Sequence, residues 1–193
     1  MVNGLVRKKF FAIEGLDGVG KSTLVANLSD SGYQTLKTPA EIYKHIRKDI
    51  HDLDVSSLFY YLSSVAYAIE KDSEGLNDFF IDRYLFSSIT QYLSKKDSDI
   101  NDFERYFSAF KDFFLMPTVT FFITLDYDTR MERIKRRPND EKRLDNPSIK
   151  YDQFWSQCID YYSFSDKVII DGRLSKEQIV DNVISHIQGI DKK

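Results

Sequence analysis

The stretch that decides the fold reads Gly15-Leu16-Asp17-Gly18-Val19-Gly20-Lys21-Ser22. It matches the pattern G-x-x-x-x-G-K-[ST], whose glycines let the backbone curl so that successive amide groups point at phosphate oxygens. An apolar run precedes the stretch and a helical pattern begins at Lys21, which is the strand–loop–helix context that the pattern needs. The stretch therefore predicts a phosphate-binding loop for a nucleotide, which we take to be ATP accompanied by Mg²⁺.

The residue types within the loop indicate separate tasks. The Lys21 ammonium would reach the β- and γ-phosphates, the Ser22 hydroxyl would ligate Mg²⁺, and the helix that begins here would add the positive end of its dipole. The Asp17 carboxylate is unusual beside a polyphosphate, so it either caps the loop backbone or contacts a sugar hydroxyl or metal-bound water. The residues expected to bind the nucleotide are Gly15, Asp17, Gly18, Val19, Gly20, Lys21, Ser22 and Thr23.

The composition is that of an ordinary globular protein and argues against several classes of function. The 193 residues suit a single domain, 1–193, with 42% hydrophobic and 30% charged residues. The net charge of −3 argues against a nucleic-acid partner, and the single cysteine, Cys158, excludes an internal disulfide and a cysteine-based zinc site. No apolar run approaches the roughly 18 residues of a membrane span, and the N-terminus lacks the apolar core of a signal peptide. We therefore expect a cytoplasmic protein with no membrane partner.

Short apolar runs alternate with longer helical patterns along the chain. The runs are rich in Phe, Ile and Val, as is typical of strands buried on both faces of a sheet. They cover Lys9–Glu14, Tyr33–Lys37, Phe79–Asp82, Val119–Leu125 and Lys167–Asp171. Helices are predicted from Lys21 onward and over Glu41–Asp49, Val55–Lys71, Leu85–Leu93, Asp102–Phe113, Thr129–Arg136, Lys150–Tyr161 and Lys176–Ile187. This alternation predicts an α/β fold with a five-stranded parallel sheet flanked by helices, which binds its ligands at the carboxyl ends of the strands.

A second cluster of polar residues follows the third predicted strand. Arg83 comes directly after Asp82, where a guanidinium can reach the cleft and bind two phosphate oxygens at once. Phosphoryl transfer needs two substrates held in line and extra positive charge on the transferring group, which such a residue supplies. The alternative is an Asp82–Arg83 pair that only closes the strand end. Ser87 and Ser88 could contact a ligand or could form the polar face of a helix.

These segments together resemble the thymidylate kinase family. Phe11–Thr23 is similar to its opening F-I-x-x-E-G-x-D-G-x-G-K-S-T, and Asp82-Arg83-Tyr84 with Ser87-Ser88 resembles its motif D-R-Y-x-x-S-S. Thr124-Leu125-Asp126 and the basic stretch through Arg143 resemble its fourth strand and lid, and Asp171-Gly172 resembles its adenine-side loop. The resemblance spans nearly the whole chain in order. It implies a P-loop NTPase fold with a mobile lid, here about residues 130–146, and commonly a homodimer.

The resemblance also implies a reaction and roles for single residues. The protein would transfer the γ-phosphoryl group of ATP to a nucleoside monophosphate, and dTMP is the expected acceptor. Asp17 would meet the acceptor sugar, while Lys37 stands where the family has an arginine that holds the acceptor phosphate, and Pro39 follows it as expected. Asp82 would organise Mg²⁺ or the surroundings of the attacking oxygen, and Arg83 would bridge phosphates.

Positive charge is concentrated in the predicted lid. The cluster comprises Arg130, Arg133, Lys135, Arg136, Arg137, Lys142 and Arg143. It is either a solvated helix face or a lid that closes over the nucleotide and excludes water. Family members without a basic residue in the phosphate loop take the catalytic arginine from the lid, and this chain has Gly18 at that loop position. The resemblance therefore implies catalysis by Arg133 and Arg137, with Arg143 next.

One departure from the family lies on the third helix, where thymidylate kinases place a base-reading arginine. The matching segment, Leu58–Val65, contains Ser63 and Ser64 and no arginine. Phe59 or Tyr60 could stack on the acceptor base, or both could belong to the core. The departure leaves open an enzyme of the same fold that phosphorylates another nucleotide or a nucleoside.

A nucleotide-binding switch or sensor is the alternative from another class. Switch GTPases carry a base-reading N-K-x-D segment, which residues 139–142 do not match, and the intact Lys21, Asp82 and Arg83 favour an enzyme. The three histidines, His45, His51 and His186, show no metal-ligand spacing and are expected to be surface or helix-packing residues.

Overall fold

A five-stranded parallel sheet forms the centre of the computed structural model, which describes residues 9–76, 78–96, 98–138 and 148–190. The strands are β1 (Phe10–Glu14), β2 (Gln34–Lys37), β3 (Phe79–Asp82), β4 (Val119–Thr124) and β5 (Asp166–Asp171), in the order β2-β3-β1-β4-β5. All neighbouring pairs are parallel. Each strand lies within one residue of its predicted bounds, and the predicted α/β fold is confirmed.

Helices cover both faces of the sheet. They are α1 (Lys21–Asp30), α2 (Arg47–Ile50), α3 (Asp54–Tyr67), α4 (Leu85–Leu93), α5 (Ile100–Lys111), α6 (Tyr127–Lys135), α7 (Ile149–Tyr161) and α8 (Lys176–Ile190). Two predicted helices differ in detail. The first part of Glu41–Asp49 is a 3-10 helix, Glu41–Ile46, and α3 ends in a π-helical turn over Ala68–Asp72. None of the described helices has both the length and the apolar character needed to cross a membrane.

Aromatic rings hold the layers together. Phe86, on α4, meets Phe103, Phe122 and Trp155 edge-on, with ring centroids 5.3, 4.8 and 5.6 Å away. Edge-to-face pairs of this kind each add about 0.5–1.5 kcal/mol beyond the buried area. Since these rings come from α4, α5, β4 and α7, they lock the helices that carry the site onto the sheet.

The strand order places the two sequence motifs side by side. β1 lies between β3 and β4, and Ile13 is the register partner of Asp82. The loop after β1 and the residues after β3 therefore emerge at the same carboxyl edge, next to each other. The connection after β1 runs to β2 on one side of β1, and the connection after β3 runs to β4 on its other side. A crevice therefore opens between the carboxyl ends of β1 and β3, as in other open parallel sheets.

Candidate active site

The phosphate loop has a shape that only glycine permits at three positions. Gly18 and Gly20 have φ angles of 91° and 109°, in the left-handed region that side chains avoid. A Cβ atom on Gly15 would lie 2.7 Å from Val19 Cγ2 and 2.8 Å from the carbonyl oxygen of Ile123. The backbone thus curls tightly between β1 and α1, with its amide groups available to an anion.

Lys21, the first residue of α1, is folded against this loop. Its side chain is buried, with the residue 6% exposed, and Nζ donates to the Leu16 carbonyl oxygen at 2.8 Å. Burial, followed by the charge of Arg83, lowers the pKa of Lys21 to about 8, although the carboxylates of Asp17 and Asp82 oppose the shift. A bound polyphosphate would favour the charged ammonium, because an adjacent anion stabilises it.

Glu14 anchors the loop and was missed in the sequence. This fully buried carboxylate, at the end of β1, accepts hydrogen bonds from the amides of Tyr84 (2.9 Å) and Ser87 (3.2 Å) and from the Ser87 hydroxyl. Burial raises its pKa, against the lowering effect of the Ser87 hydroxyl and of Arg83. A carboxylate at a strand end directly before the glycine pattern was the available signal. Its effect is to tie the phosphate loop to the start of α4.

Arg83 bridges the two motifs. Its φ angle is 69°, and its amide donates to the Ile13 carbonyl oxygen at 3.0 Å. The guanidinium donates to the Gly15 carbonyl oxygen and to Ser87 Oγ, both at 3.2 Å, and forms an ion pair with Asp17. Both members of that pair are about a quarter exposed, so the guanidinium faces the cleft from a fixed position. The partner of Arg83 is thus Asp17 in the loop.

Asp82 carries a carboxylate oxygen that the described part of the chain leaves without a hydrogen bond. The residue is 8% exposed, and Oδ1 is buried. Such an atom is costly to bury unless a ligand satisfies it. Ser22 lines the same groove, so a carboxylate and a hydroxyl oxygen face one space. These donors fit Mg²⁺, which binds one or two carboxylates together with substrate phosphates.

Three adjoining cavities form one cleft around these residues. The α8 cavity, about 320 Å³, lies between the loop, α1 and α8, where Gly18, Asn27 and Leu174 line it. The central groove, about 280 Å³, contains Lys21, Ser22 and Asp82. The α3 cavity, about 40 Å³, extends toward α3 and α4. Its lining includes Pro39, His51, Tyr61, Ser88, Gln91 and Tyr151.

Shared residues make the three cavities continuous. Arg137 lines both the α8 cavity and the central groove. Asp17, Thr38, Arg47 and Arg83 line both the central groove and the α3 cavity. The cleft therefore has a middle section rich in cations and a separate cavity at each end.

A family model of thymidylate kinase matches residues 13–183 of this chain. The chain belongs to the thymidylate kinase family. It is 28% identical over 167 residues to a protein of Picrophilus torridus named "Probable thymidylate kinase", in an alignment that covers 78% of this chain and 83% of that protein.

Solved structures share the fold. The thymidylate kinase of Candida albicans superposes with a TM-score of 0.72 at 21% identity, covering 96% of this chain and 93% of that one. A deoxyadenosine kinase of M. mycoides with bound dATP superposes with a TM-score of 0.65 at 20% identity, covering 93% and 99%. The predicted P-loop NTPase fold is thereby confirmed.

The arginines at the start of the predicted thymidylate kinase lid have different surroundings. Arg130 is fully buried, pairs with Asp152 on α7 and donates to the Asp17 carbonyl oxygen at 3.0 Å. Arg133 donates to the carbonyl oxygens of Val19 (3.3 Å) and Gly172 (3.0 Å). Both side chains thus hold the phosphate loop against its neighbours. Arg133 also lines the α8 cavity, and Arg137 lines that cavity and the central groove. Arg143 and Lys142 lie outside the described residues, as does the rest of the predicted lid from 139 to 146.

Several residues matched to acceptor-binding positions of thymidylate kinases lie elsewhere. Lys37 is exposed and lines none of the three cavities, whereas Pro39 lines the α3 cavity. Phe59 is 59% exposed on the surface of α3, and Tyr60 is buried with its hydroxyl donating to the Tyr43 carbonyl oxygen at 2.9 Å. The aromatic residue of α3 that does reach the cavity is their neighbour Tyr61.

Further residues of the α3 cavity were missed in the sequence. Arg47 and His51 both line it. His51 packs edge-on against Tyr61 of α3, with ring centroids 6.3 Å apart, as expected of a helix-packing residue, but its place in the cavity wall was not predicted. Arg47 and His51 are four positions apart, which is the spacing of one helical face and the only local signal for them. Gln91 and Tyr151 complete the wall from α4 and α7.

Proposed function

We propose that this member of the thymidylate kinase family transfers the γ-phosphoryl group of ATP to dTMP, forming dTDP and ADP. One observation carries the proposal. The central groove joins two separate cavities and is lined by four cationic residues, Lys21, Arg47, Arg83 and Arg137. Phosphoryl transfer requires this arrangement, since two phosphorylated substrates must meet end to end and their combined negative charge must be neutralised.

The donor nucleotide would occupy the α8 cavity and the central groove. Its phosphates would lie on the amide groups of the phosphate loop and at the N-terminus of α1, with Lys21 at the β- and γ-phosphates. Ser22 and Asp82 would hold Mg²⁺, which when bound neutralises charge on the same phosphate oxygens. To contact the phosphates, Lys21 Nζ has to break its hydrogen bond to the Leu16 carbonyl oxygen, which belongs to the same phosphate loop.

The acceptor would enter the α3 cavity with its phosphate toward the central groove. Arg47 and Arg83 line both spaces, so they would hold the acceptor phosphate in line with the γ-phosphate. Asp17 would meet the acceptor sugar, and Pro39 and Ser88 would contact the rest of the nucleotide. Arg47 would take the task that the sequence suggested for Lys37.

Among the lid arginines, Arg137 would stabilise the transferring phosphoryl group, because it lines both the donor cavity and the groove. Arg133 also lines the donor cavity, where its guanidinium donates to two backbone carbonyl oxygens and would hold the loop in place beside the nucleotide. Arg143 remains a candidate for a contact to ATP.

The alternative acceptor is another deoxynucleotide or a nucleoside. Ser63 and Ser64 do not supply thymine contacts, since their hydroxyls bond to the Tyr60 carbonyl oxygen and the Ala40 amide. The M. mycoides neighbour, moreover, is a deoxyadenosine kinase. A nucleoside acceptor, however, would leave two arginines at the mouth of the α3 cavity without a phosphate to bind.

The test is ADP release from ATP and Mg²⁺ with a panel of acceptors comprising dTMP, dUMP, dCMP, dGMP, dAMP, UMP and the free nucleosides. We expect the highest kcat/KM with dTMP. A preference for a free nucleoside would contradict the monophosphate assignment, and ADP release that no acceptor stimulates would favour a switch or sensor.

A cytoplasmic homodimer is part of the same proposal. Val55 and Phe59 lie four residues apart on α3 and are 54% and 59% exposed, an apolar pair that a second copy could cover. The buried free thiol of Cys158 suits a reducing compartment. Sedimentation should give twice the chain mass, and Phe59→Asp should shift it toward the monomer while Asp30→Asn does not.

A further inference from the structure

The two ends of the α3 cavity differ in the groups that they offer a ligand. Asp17, Thr38, Arg47 and Arg83 are shared with the central groove and mark the phosphate end. The far end, where the acceptor base would lie, is lined by the remaining residues. The polar and aromatic ones are His51, Tyr61, Ser87, Ser88, Gln91 and Tyr151.

His51 is linked to Tyr61 and Arg47 by hydrogen bonds at this end of the cavity. Its Nδ1 lies 2.9 Å from the Tyr61 hydroxyl oxygen, and Arg47 Nε lies 3.3 Å from the same oxygen. A guanidinium can only donate, so the hydroxyl oxygen accepts from Arg47. The direction of the second bond depends on the His51 tautomer: when the ring hydrogen is on Nε2, Nδ1 accepts the proton of the Tyr61 hydroxyl. In that tautomer the ring presents a donor on the side away from Tyr61.

The charges around His51 favour that neutral form. Burial, then Arg47 and Lys95, lower the pKa of His51, while the carboxylates of Asp52 and Asp17 oppose the shift. Lys95 is held close, since its Nζ donates to the His51 carbonyl oxygen at 2.9 Å. Protonation of Nδ1 would also remove the acceptor of the Tyr61 proton.

Within the proposed function, on which this step rests, we infer that His51 holds its ring hydrogen on Nε2 and selects the acceptor base by donating that hydrogen to an exocyclic carbonyl oxygen of the base. A base with a carbonyl group at the edge facing His51, such as thymine or uracil, is accepted. Cytosine, which carries an amino group at the corresponding position, would set donor against donor and is rejected. Gln91 cannot make this choice, because its amide both donates and accepts.

The experiment compares His51→Ala and His51→Gln with His45→Ala as the matched control. His45 is exposed on the preceding 3-10 helix and lines none of the three cavities. The values measured are kcat and KM for dTMP and dCMP, and KM for ATP. His51→Ala should raise KM for dTMP about tenfold, the effect of one hydrogen bond, and lower the dTMP-to-dCMP ratio of kcat/KM similarly. KM for ATP should stay unchanged.

The second variant protects the test from a folding defect. His51→Gln keeps an N–H donor, so it should retain a lower KM for dTMP than His51→Ala at an equal thermal midpoint.

The outcomes separate this inference from the proposed function. A wild-type protein that phosphorylates none of the acceptors would overturn the function itself. A His51→Ala variant with an unchanged dTMP-to-dCMP ratio would overturn the role of His51 alone. An active kinase that prefers dCMP would overturn that role and also the assignment of dTMP as the acceptor, while phosphoryl transfer to a nucleoside monophosphate would stand. An equal loss of kcat with every acceptor would assign His51 a structural role and would also overturn the inference.

Discussion

The phosphate loop and the α3 cavity are neighbours in the cleft but are built in opposite ways. The loop is one contiguous stretch, residues 15–22, and offers mainly backbone amides whose direction glycine conformations determine. The α3 cavity collects side chains from six parts of the chain, among them Pro39, Arg47, Tyr61 and Tyr151. A contiguous backbone site can be identified in a sequence pattern, whereas a site made of dispersed side chains depends on how helices pack.

Among the substitutions in these two regions, the largest effect on activity is expected for Lys21. Lys21→Ala should lower kcat by roughly 10²–10³-fold, since it removes a charge aimed at the transferring phosphoryl group. The thermal midpoint should not fall, because burial already disfavours the ammonium in the folded protein. Steady-state kinetics and a thermal melt measure both quantities. Lys37→Ala is the control with the same change of charge at an exposed site, and a surviving kcat in Lys21→Ala would contradict the loop assignment.

A smaller effect is expected for Asp82, the carboxylate between the two regions. Asp82→Asn should raise the Mg²⁺ concentration for half-maximal activity roughly 10–100-fold, in line with weakened metal sites. Its stability should hold, since Oδ1 has no hydrogen-bond partner among the described residues. A magnesium titration of activity, paired with a thermal melt, distinguishes the two. A variant that fails to fold at unchanged Mg²⁺ dependence would make Asp82 a structural strand end.

Arg47 and Lys37 test the acceptor side directly. Arg47→Ala should raise KM for dTMP about 10–100-fold through loss of a charge-assisted contact, with KM for ATP changed much less. Lys37→Ala should leave both constants within about twofold, as for other exposed residues away from a site. If initial-rate measurements show instead that Lys37→Ala raises KM for dTMP and Arg47→Ala does not, the sequence-based assignment of Lys37 to the acceptor phosphate is correct.

The smallest effect concerns the proton on Lys21. Its pKa of about 8 in the free protein should rise when a polyphosphate binds, so ATP binding above that pH takes up as much as one proton. ATP affinity should therefore decline as pH rises above about 8. Calorimetry in two buffers of different ionisation enthalpy counts the protons. Lys21→Arg stays charged throughout, so equal uptake by this variant would place the proton elsewhere.

Some residues of the site could be identified from the sequence, and others could not. The glycine pattern and Asp82-Arg83 were identified because their neighbours in sequence are their neighbours in space, at the adjacent ends of β1 and β3. Tyr60 and Tyr61 show the opposite case. Successive helical residues point about 100° apart, so only the packing of α3 decides which tyrosine faces the cavity.

The arginines at the start of the predicted lid also differ in ways that the sequence does not show. The sequence marks Arg130, Arg133 and Arg137 as one basic cluster, yet their surroundings differ. Arg130 is a buried partner of Asp152, Arg133 donates to two backbone carbonyl oxygens at the α8 cavity, and Arg137 lines the central groove. Charge density along a chain does not reveal which of these arginines will pair with the partly buried carboxylate of α7.

The sequence by itself determined the α/β fold, the phosphate loop and the family, because glycine conformations and strand–helix alternation are local properties of the chain. Only the tertiary structure decided the acceptor end. There, Arg47, Tyr61 and His51 are joined by hydrogen bonds between side chains of different elements, and no local rule specifies how α2 packs on α3.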